Sequence, residues 1–165
     1  MKALILSAGY GTRLGLLTKQ TPKPMLEVAG KLVLQHLIEY LNSFGIYEII
    51  VNLHYLPEKI MHHFGPRILY LYEPVLLGEE GTIEAMGRII SPDEFLVVMN
   101  GDTLTNLNLN KMFSLSMGKN IRYMDGQVYA GTKILSPAYW KGDKKFRDYY
   151  DTEAYWIDVG TPEGL

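Results

Sequence analysis

Residues 2–14 read KALILSAGYGTRL, and this stretch sets the architecture. Lys2 to Leu6 is a short apolar run of the kind that fills a buried strand, and it passes at once into a turn with glycine at 9 and 11 and arginine at 13. In an open α/β sheet, loops and helix N-termini converge beyond the C-terminal strand ends, so a strand that opens into such a loop marks the ligand-facing edge. Outward from it, Val33, Leu34, Leu37, Ile38 and Leu41 recur at spacings of three and four and predict a helix. Phe44-Gly45 ends that helix, with Gly45 suited to the left-handed position that follows the last turn. A strand is predicted over 48–51, a helix opened by Pro57 and carrying Ile60, Met61 and Phe64, and a strand over 67–72. Helical spacing returns over 82–89, Ser91-Pro92-Asp93 is a turn, and 95–99 is an unbroken apolar run that predicts a central strand. Further strands are expected over 128–135 and 154–157, while 120–128 is mixed and 139–151 has charge and aromatics without a clear period. Strands alternating with helices imply an α/β fold with a mostly parallel sheet. Without repeats or linkers, a single domain is expected over 1–165.

Composition narrows the function. The 165 residues are 47% hydrophobic and 21% charged, with a formal charge of −2 and a pI near 6.1. A chain of this size buries roughly 70% of its unfolded surface and needs no staple. The near-neutral charge excludes a general nucleic-acid binder, which needs a basic face. The absence of cysteine excludes disulfides, thiolate metal sites and a cysteine nucleophile, and fits a reducing, cytoplasmic location. No apolar run approaches the ~20 residues of a membrane span. The N-terminal run is too short for a signal peptide.

Three loops carry chemistry. Ser7-Ala8-Gly9-Tyr10-Gly11-Thr12-Arg13-Leu14 lets backbone N–H groups approach an anion where no Cβ intervenes, and Arg13 can fork onto phosphate oxygens. It is not a dinucleotide fingerprint, whose third glycine would fall at Leu14, nor a P-loop. Thr21-Pro22-Lys23-Pro24-Met25 presents a lysine from a backbone stiffened by two prolines. Asn100-Gly101-Asp102-Thr103 sets a carboxylate at the mouth of the central strand, and Asp158 repeats that placement after Tyr155-Trp156-Ile157. Two carboxylates from different strand ends suit Mg²⁺ carrying substrate phosphates. Taken singly, the glycine loop reads about equally as a tight turn, Thr21–Met25 reads better as a turn with a solvated lysine, and Asn100–Thr103 also reads as an Asx turn. His62-His63 reads as a solvated helix face, the aromatics at 139, 140, 149, 150, 155 and 156 as core or interface, and Asp148 and Asp151 have no assignable partner.

In order, LILSAGYGTRL, TPKPML, GKLVLQHLIEYL, VMNGDT and YWIDVGTPE resemble the sugar nucleotidyltransferases, the nucleoside-diphosphate-sugar pyrophosphorylases. The similarity runs from Met1 to about Met112 and returns at YAGTKILSP (129–137) and at 155–165. The resemblance implies a Rossmann-like three-layer nucleotidyltransferase fold. It also implies an enzyme that joins a nucleoside monophosphate from a nucleoside triphosphate to a sugar 1-phosphate with Mg²⁺ as cofactor. Carried over by position, it has Ala8, Gly9 and Gly11 contacting nucleotide through their backbones, with Thr12, Glu73, Gly78, Gly81 and Gly101 as further substrate-binding positions. Ala130 and Gly131 fall in the sugar-contacting loop. Arg13 is expected on the pyrophosphate, Lys23 on the sugar phosphate, and Asp102 and Asp158 on the metal, with Arg13, Lys23 and Asp102 forming the catalytic set. Many enzymes of this class are homo-oligomers; no interface is legible here, and neither nucleic acid nor membrane is an expected partner.

The chain also departs from that pattern. Only about two dozen residues separate Asp102 from Tyr129, and no Glu-Lys-Pro lies between them, which implies a reduced sugar-binding region around 113–150. His63-Phe64-Gly65-Pro66-Arg67 is abbreviated. In Leu77-Gly78-Glu79-Glu80-Gly81-Thr82 the family has a Gly-Thr-Ala-Gly-type turn, so Glu79 and Glu80 add negative charge near an expected anion. The alternative reading is a noncatalytic nucleotide-binding or regulatory module. A glycosyltransferase of related fold fits less well, because Asn100-Gly101-Asp102 is not an Asp-x-Asp motif.

Overall fold

The apolar runs at 2–6 and 95–99 are continuous because both of their faces are covered. In the computed structural model, which describes residues 1–161 and Gly164, β1 (Lys2–Leu6) turns Ala3 and Ile5 into one core and Leu4 into another. Two short strands, β2 (Glu27–Val28) and β3 (Lys31–Leu32), form a hairpin before α1 (Val33–Ser43). Helix α1 buries Val33, Leu34, Leu37 and Leu41, the face its period predicts, and ends at Gly45 with φ +76°. Then follow β4 (Ile49–Leu53), α2 (Pro57–Phe64), β5 (Leu69–Tyr72), α3 (Gly78–Met86) and β6 (Leu96–Asn100).

The remainder is built from shorter pieces: β7 (Thr103–Thr105), α4 (Leu109–Ser116), β8 (Ile121–Asp125), β9 (Val128–Leu135), α5 (Pro137–Trp140), β10 (Arg147–Tyr149) and β11 (Trp156–Asp158). Asn108 caps α4, its side-chain oxygen accepting from Lys111 N at 3.0 Å. The seven-stranded sheet has the order β10-β8-β9-β6-β1-β4-β5, with β6 at its centre. Strands β6, β1, β4 and β5 run parallel, β9 is antiparallel to both β6 and β8, and β10 is parallel to β8. Helices α1, α2 and α4 cover one face through Leu37, Ile60 and Met112; α3 covers the other through Ile83 and Met86, joined by Tyr139 of α5. The expected three-layer α/β fold with a mostly parallel sheet is therefore observed. Among the described residues, no helix is long and apolar enough to cross a membrane.

Several local expectations shift. Helix α3 starts at Gly78 rather than 82, because Glu79 and Glu80 in its first turn suit the positive helix N-terminus and extend it backward across the glycines. The mixed stretch 120–128 holds β8, and 139–151 holds the end of α5 and β10. Strand β11 lies outside the main sheet and pairs with β7. Pro162, Glu163 and Leu165, at the end of the YWIDVGTPE segment and just beyond it, fall outside the described residues.

Two predictions follow the packing. Leu37 is 1% exposed beneath the sheet, so Leu37→Ala should cost about 2–5 kcal/mol in a urea titration. At the start of β1, Lys2 Nζ donates to Glu94 Oε2 at 2.7 Å and holds the Glu94 carboxyl below its ordinary 4.5. The unfolded chain then binds the proton more readily, so this stabilisation is present above pH 4.5 and fades as pH falls through the lower folded value. Glu94→Gln should flatten the acid limb of the stability profile below pH 4.5, read from melting temperatures across pH.

Candidate active site

Strands β1 and β6 run side by side with Leu6 opposite Asn100, so the two loops that leave them emerge together. Gly101 N donates to Leu6 O at 2.8 Å. A Cβ on Gly101 would stand 2.5 Å from both Leu6 O and Ser7 Oγ, so only glycine permits this approach. The glycine loop consequently lies against Asp102. Gly11 takes φ +67°, and Thr18 Oγ1 donates to Gly11 O at 2.8 Å to fix the turn. The 3₁₀ turn Thr12–Thr18 then carries Thr12 and Arg13 to the surface, with 59% of the Arg13 side chain exposed.

Asp158 arrives from the far end of the chain. Antiparallel pairing of β7 with β11 sets Asp158 opposite Thr103, and Val159 N donates to Asp102 O at 2.8 Å. Both carboxylates face the glycine loop. Arg13 Nη1 donates to Asp158 Oδ2 at 3.3 Å, and its Nη2 lies 3.9 Å from Asp102 Oδ2. Lys23, at the start of the turn Lys23–Met25, is 12% exposed and pairs with Asp102. Gly160 N orients Asp158 by donating to its Oδ1 at 2.7 Å. Two cations and two anions thus close into one cluster, in which an incoming phosphate can take the cations and a hard cation the carboxylates.

Beside this cluster are two adjoining cavities that share Leu6 and Gly9. One, of about 90 Å³, is lined by Gly11, Lys23, Gly101 and Asp102. The other, of about 220 Å³, extends past Ala8 and Asn52 to Leu76, Gly78 and Glu79. A larger cavity of about 390 Å³ lies elsewhere, at the N-terminal end of β4, between α1 and the segment from His63 to Ile68. It holds none of the clustered charges.

A buried polar network ties the loop walls together. Asn52, on β4, accepts from Ser7 N at 2.5 Å and donates to Glu73 Oε1 at 2.9 Å. Thr82 Oγ1 donates to the same oxygen at 2.5 Å, and Glu73 Oε2 accepts from Leu77 N at 3.1 Å. Glu73, expected among the substrate-binding positions, is 1% exposed with both oxygens engaged internally. It faces the protein and shapes the entry to α3.

Gly78 sits on the rim and Gly81 one turn further along α3, against Leu77. Ala130 is buried, and Gly131 backs onto Thr103 next to Asp102, so this pair reaches the site from behind. The negative charge expected at Glu79 is compensated: Lys133, on β9, forms an ion pair with it. That ammonium stands 5.0 Å from the Tyr129 ring and 5.6 Å from that of Phe146. Burial pushes Lys133 down to about 8. Only proximity in the fold reveals this pair.

Other positions settle as structure. His62 and His63 are exposed, and among the described residues no group of three or more potential ligands gathers for a metal. Asp148 pairs with Arg122 at 2.6 Å, and Asp151 accepts from Tyr149 Oη at 2.9 Å and lies 3.3 Å from Lys111.

The sequence profile of the nucleotidyl transferase family matches residues 2–128. The chain is 38% identical over 118 residues to D-glycero-alpha-D-manno-heptose 1-phosphate guanylyltransferase of Aneurinibacillus thermoaerophilus, covering 68% of this chain and 51% of that one. It is 33% identical over 135 residues to UTP–glucose-1-phosphate uridylyltransferase of Synechocystis, covering 72% and 35%. The chain therefore spans about half or less of the length of these relatives. The crystal structure of HddC from Yersinia pseudotuberculosis complexed with GMP-PN superposes with a TM-score of 0.83 at 24% identity, covering 99% of this chain and 95% of that one.

Removal of Glu73 should expose how much the network holds. Glu73→Ala takes away the carboxylate that accepts from Asn52 Nδ2 and Leu77 N, while Thr82 Oγ1 keeps Gly78 O at 2.8 Å, and should cost about 3 kcal/mol in urea. Glu73→Gln keeps an oxygen acceptor and should lose less than half of that.

Proposed function

The chain belongs to the nucleotidyl transferase family, and from that premise we propose that it transfers a nucleoside monophosphate from a nucleoside triphosphate to a sugar 1-phosphate, releasing pyrophosphate. The observation that carries this reading is the meeting of Asp102 and Asp158 over the glycine loop, with Arg13 and Lys23 between them. A phosphate oxygen of the sugar phosphate attacks the α-phosphorus in line; the bond from that phosphorus to the bridging oxygen breaks, and the electron pair leaves with pyrophosphate. Such a transfer requires positioning and charge neutralisation rather than a protein nucleophile.

Roles follow from placement. The backbone N–H groups of the glycine loop from Ala8 to Gly11 cradle the triphosphate. Arg13, long and exposed, swings from Asp158 onto the leaving pyrophosphate. Lys23, held in its Pro-bounded turn, stays near Asp102 and meets the sugar phosphate.

The donor set suits a hard divalent ion: Asp102 and Asp158 offer carboxylate oxygens on one side, where side-chain cations already answer their charge. Mg²⁺ held there would supply neutralisation of the phosphate charge. Mg²⁺ needs only one or two protein carboxylates, so Asp102 and Asp158 would suffice to hold it. Soluble substrates and a chain without cysteine fit a cytoplasmic location.

The short connection between Asp102 and Tyr129 favours a second reading, a nucleotide-binding module without turnover. Pyrophosphate release from the four nucleoside triphosphates with a panel of sugar 1-phosphates separates the two. Turnover supports the transferase, and nucleotide binding with no pyrophosphate released supports the module. In the transferase, Asp102→Ala should lower turnover by at least about 100-fold while the circular dichroism spectrum is kept. A near-normal rate would remove Asp102 from the chemistry. EDTA should stop pyrophosphate release, and added Mg²⁺ should restore it.

A further inference from the structure

Strand β5 ends the main sheet and leaves one edge of it open. Glu73 N donates to Leu53 O at 2.8 Å, so the backbone groups of Leu69 and Leu71, which alternate in phase with Glu73, also point to β4. Those of Ile68, Tyr70 and Tyr72 point outward. Ile68 continues the extended backbone, with φ −133° and ψ 160°. Its N–H and C=O stand in a row with those of Tyr70 and Tyr72, and among the described residues no strand meets them. Natural sheets guard such edges with lysine, proline or an outward charge. The run Ile68-Leu69-Tyr70-Leu71-Tyr72 has none of these, Leu69 and Tyr72 are 55% and 58% exposed, and the acid that follows, Glu73, is turned inward.

We infer that this edge is an interface whose occupant is the same edge of a second copy of the chain, paired antiparallel about a two-fold axis at Tyr70. That axis sets Tyr70 opposite Tyr70 and Ile68 opposite Tyr72, so every outward N–H meets an outward C=O and the two sheets become one. Leu69 then falls opposite Leu71 of the second copy on the α3 face, where Leu71 already packs against the core. The paired run carries no charge, so nothing in it repels its own copy. The inference concerns assembly and stands apart from nucleotidyl transfer.

The cavity of about 390 Å³ selects this chain over any other extended segment. Its walls include Ile38, Ile49, Phe64 and Ile68, with Glu39 and Asn42 on the α1 side. Ile68 and Tyr70 face the core beneath α1 and α2, and Tyr72 shares that face because side chains alternate along a strand. In the antiparallel register, Tyr72 of the second copy arrives beside Ile68 on the face that holds the cavity. Its ring can enter against the apolar walls while its hydroxyl donates to Glu39 or Asn42. The two-fold axis repeats the insertion, so each copy fills the cavity of the other. A strand without that tyrosine would satisfy the edge and leave the cavity empty.

The test begins with the unaltered chain. Size-exclusion chromatography with light scattering at micromolar concentration should give twice the 18.8 kDa of one copy. Amide exchange read by mass spectrometry should slow at Tyr70 and Tyr72 by at least about tenfold between the diluted and the concentrated protein. Tyr72→Lys changes an exposed side chain, so it should keep the circular dichroism spectrum and elute as a single copy. A mass of 18.8 kDa for the unaltered chain would overturn the interface. So would a dimer whose Tyr70 and Tyr72 amides exchange at the same rate at both concentrations, or one that Tyr72→Lys leaves whole, since either result places the contact elsewhere. Mass and exchange on the unaltered chain decide the question even if the variant fails to fold.

Discussion

The pairing of β7 with β11 is the constraint on which the site depends. Three residue pairs hold it, Trp156 with Thr105, Ile157 with Leu104 and Asp158 with Thr103. Side chains alternate faces along a strand, so a slip of one residue would turn Asp158 to the other side and leave Asp102 alone before the glycine loop. Val159 N extends the register by one bond to Asp102 O, so the backbone that carries one carboxylate is fixed to the backbone that carries the other. Thr105 Oγ1 accepts no share of this task; it donates to Tyr155 O at 2.5 Å and anchors the approach to β11.

Electrostatics at the site follow from that closure. Two carboxylates brought together repel, and the fold answers with Lys23 from one loop and Arg13 from another. The two cations are not equivalent. Lys23 is 12% exposed and set in a rigid turn, whereas Arg13 is 59% exposed on a flexible stem. One is a fixed charge and the other a mobile arm.

Much of this was legible in the sequence because it rests on local pattern. The period of Val33, Leu34, Leu37 and Leu41, the stop at Gly45 and the unbroken run before Asn100 each fix an element without reference to the rest of the chain. The glycine loop and Asp102 were legible too, since they follow β1 and β6, whose ends share one edge of the sheet, whereas Asp158 closes β11, outside that sheet, and reaches them through the pairing with β7. Strands β7 and β10 were not legible, because three residues carry too little period to betray a pairing made with distant segments. Glu73 looks in sequence like any loop acid; only the convergence of Asn52, Thr82 and Leu77 N shows it turned inward. Glu79 likewise looked uncompensated until β9 placed Lys133 across from it.

The buried network adds a mechanical consequence. Ser7 N belongs to the glycine loop and Leu77 N to the entry of α3, and both are held by a single chain of bonds through Asn52 and Glu73. The walls of the smaller cavity and of its neighbour are therefore parts of one rigid piece, joined at Leu6 and Gly9. A ligand spanning them meets a preformed surface and spends little of its binding energy on ordering the chain. The side chains at the two ends differ in charge: the cluster of Arg13, Lys23, Asp102 and Asp158 lies at one, and the Glu79–Lys133 pair at the other.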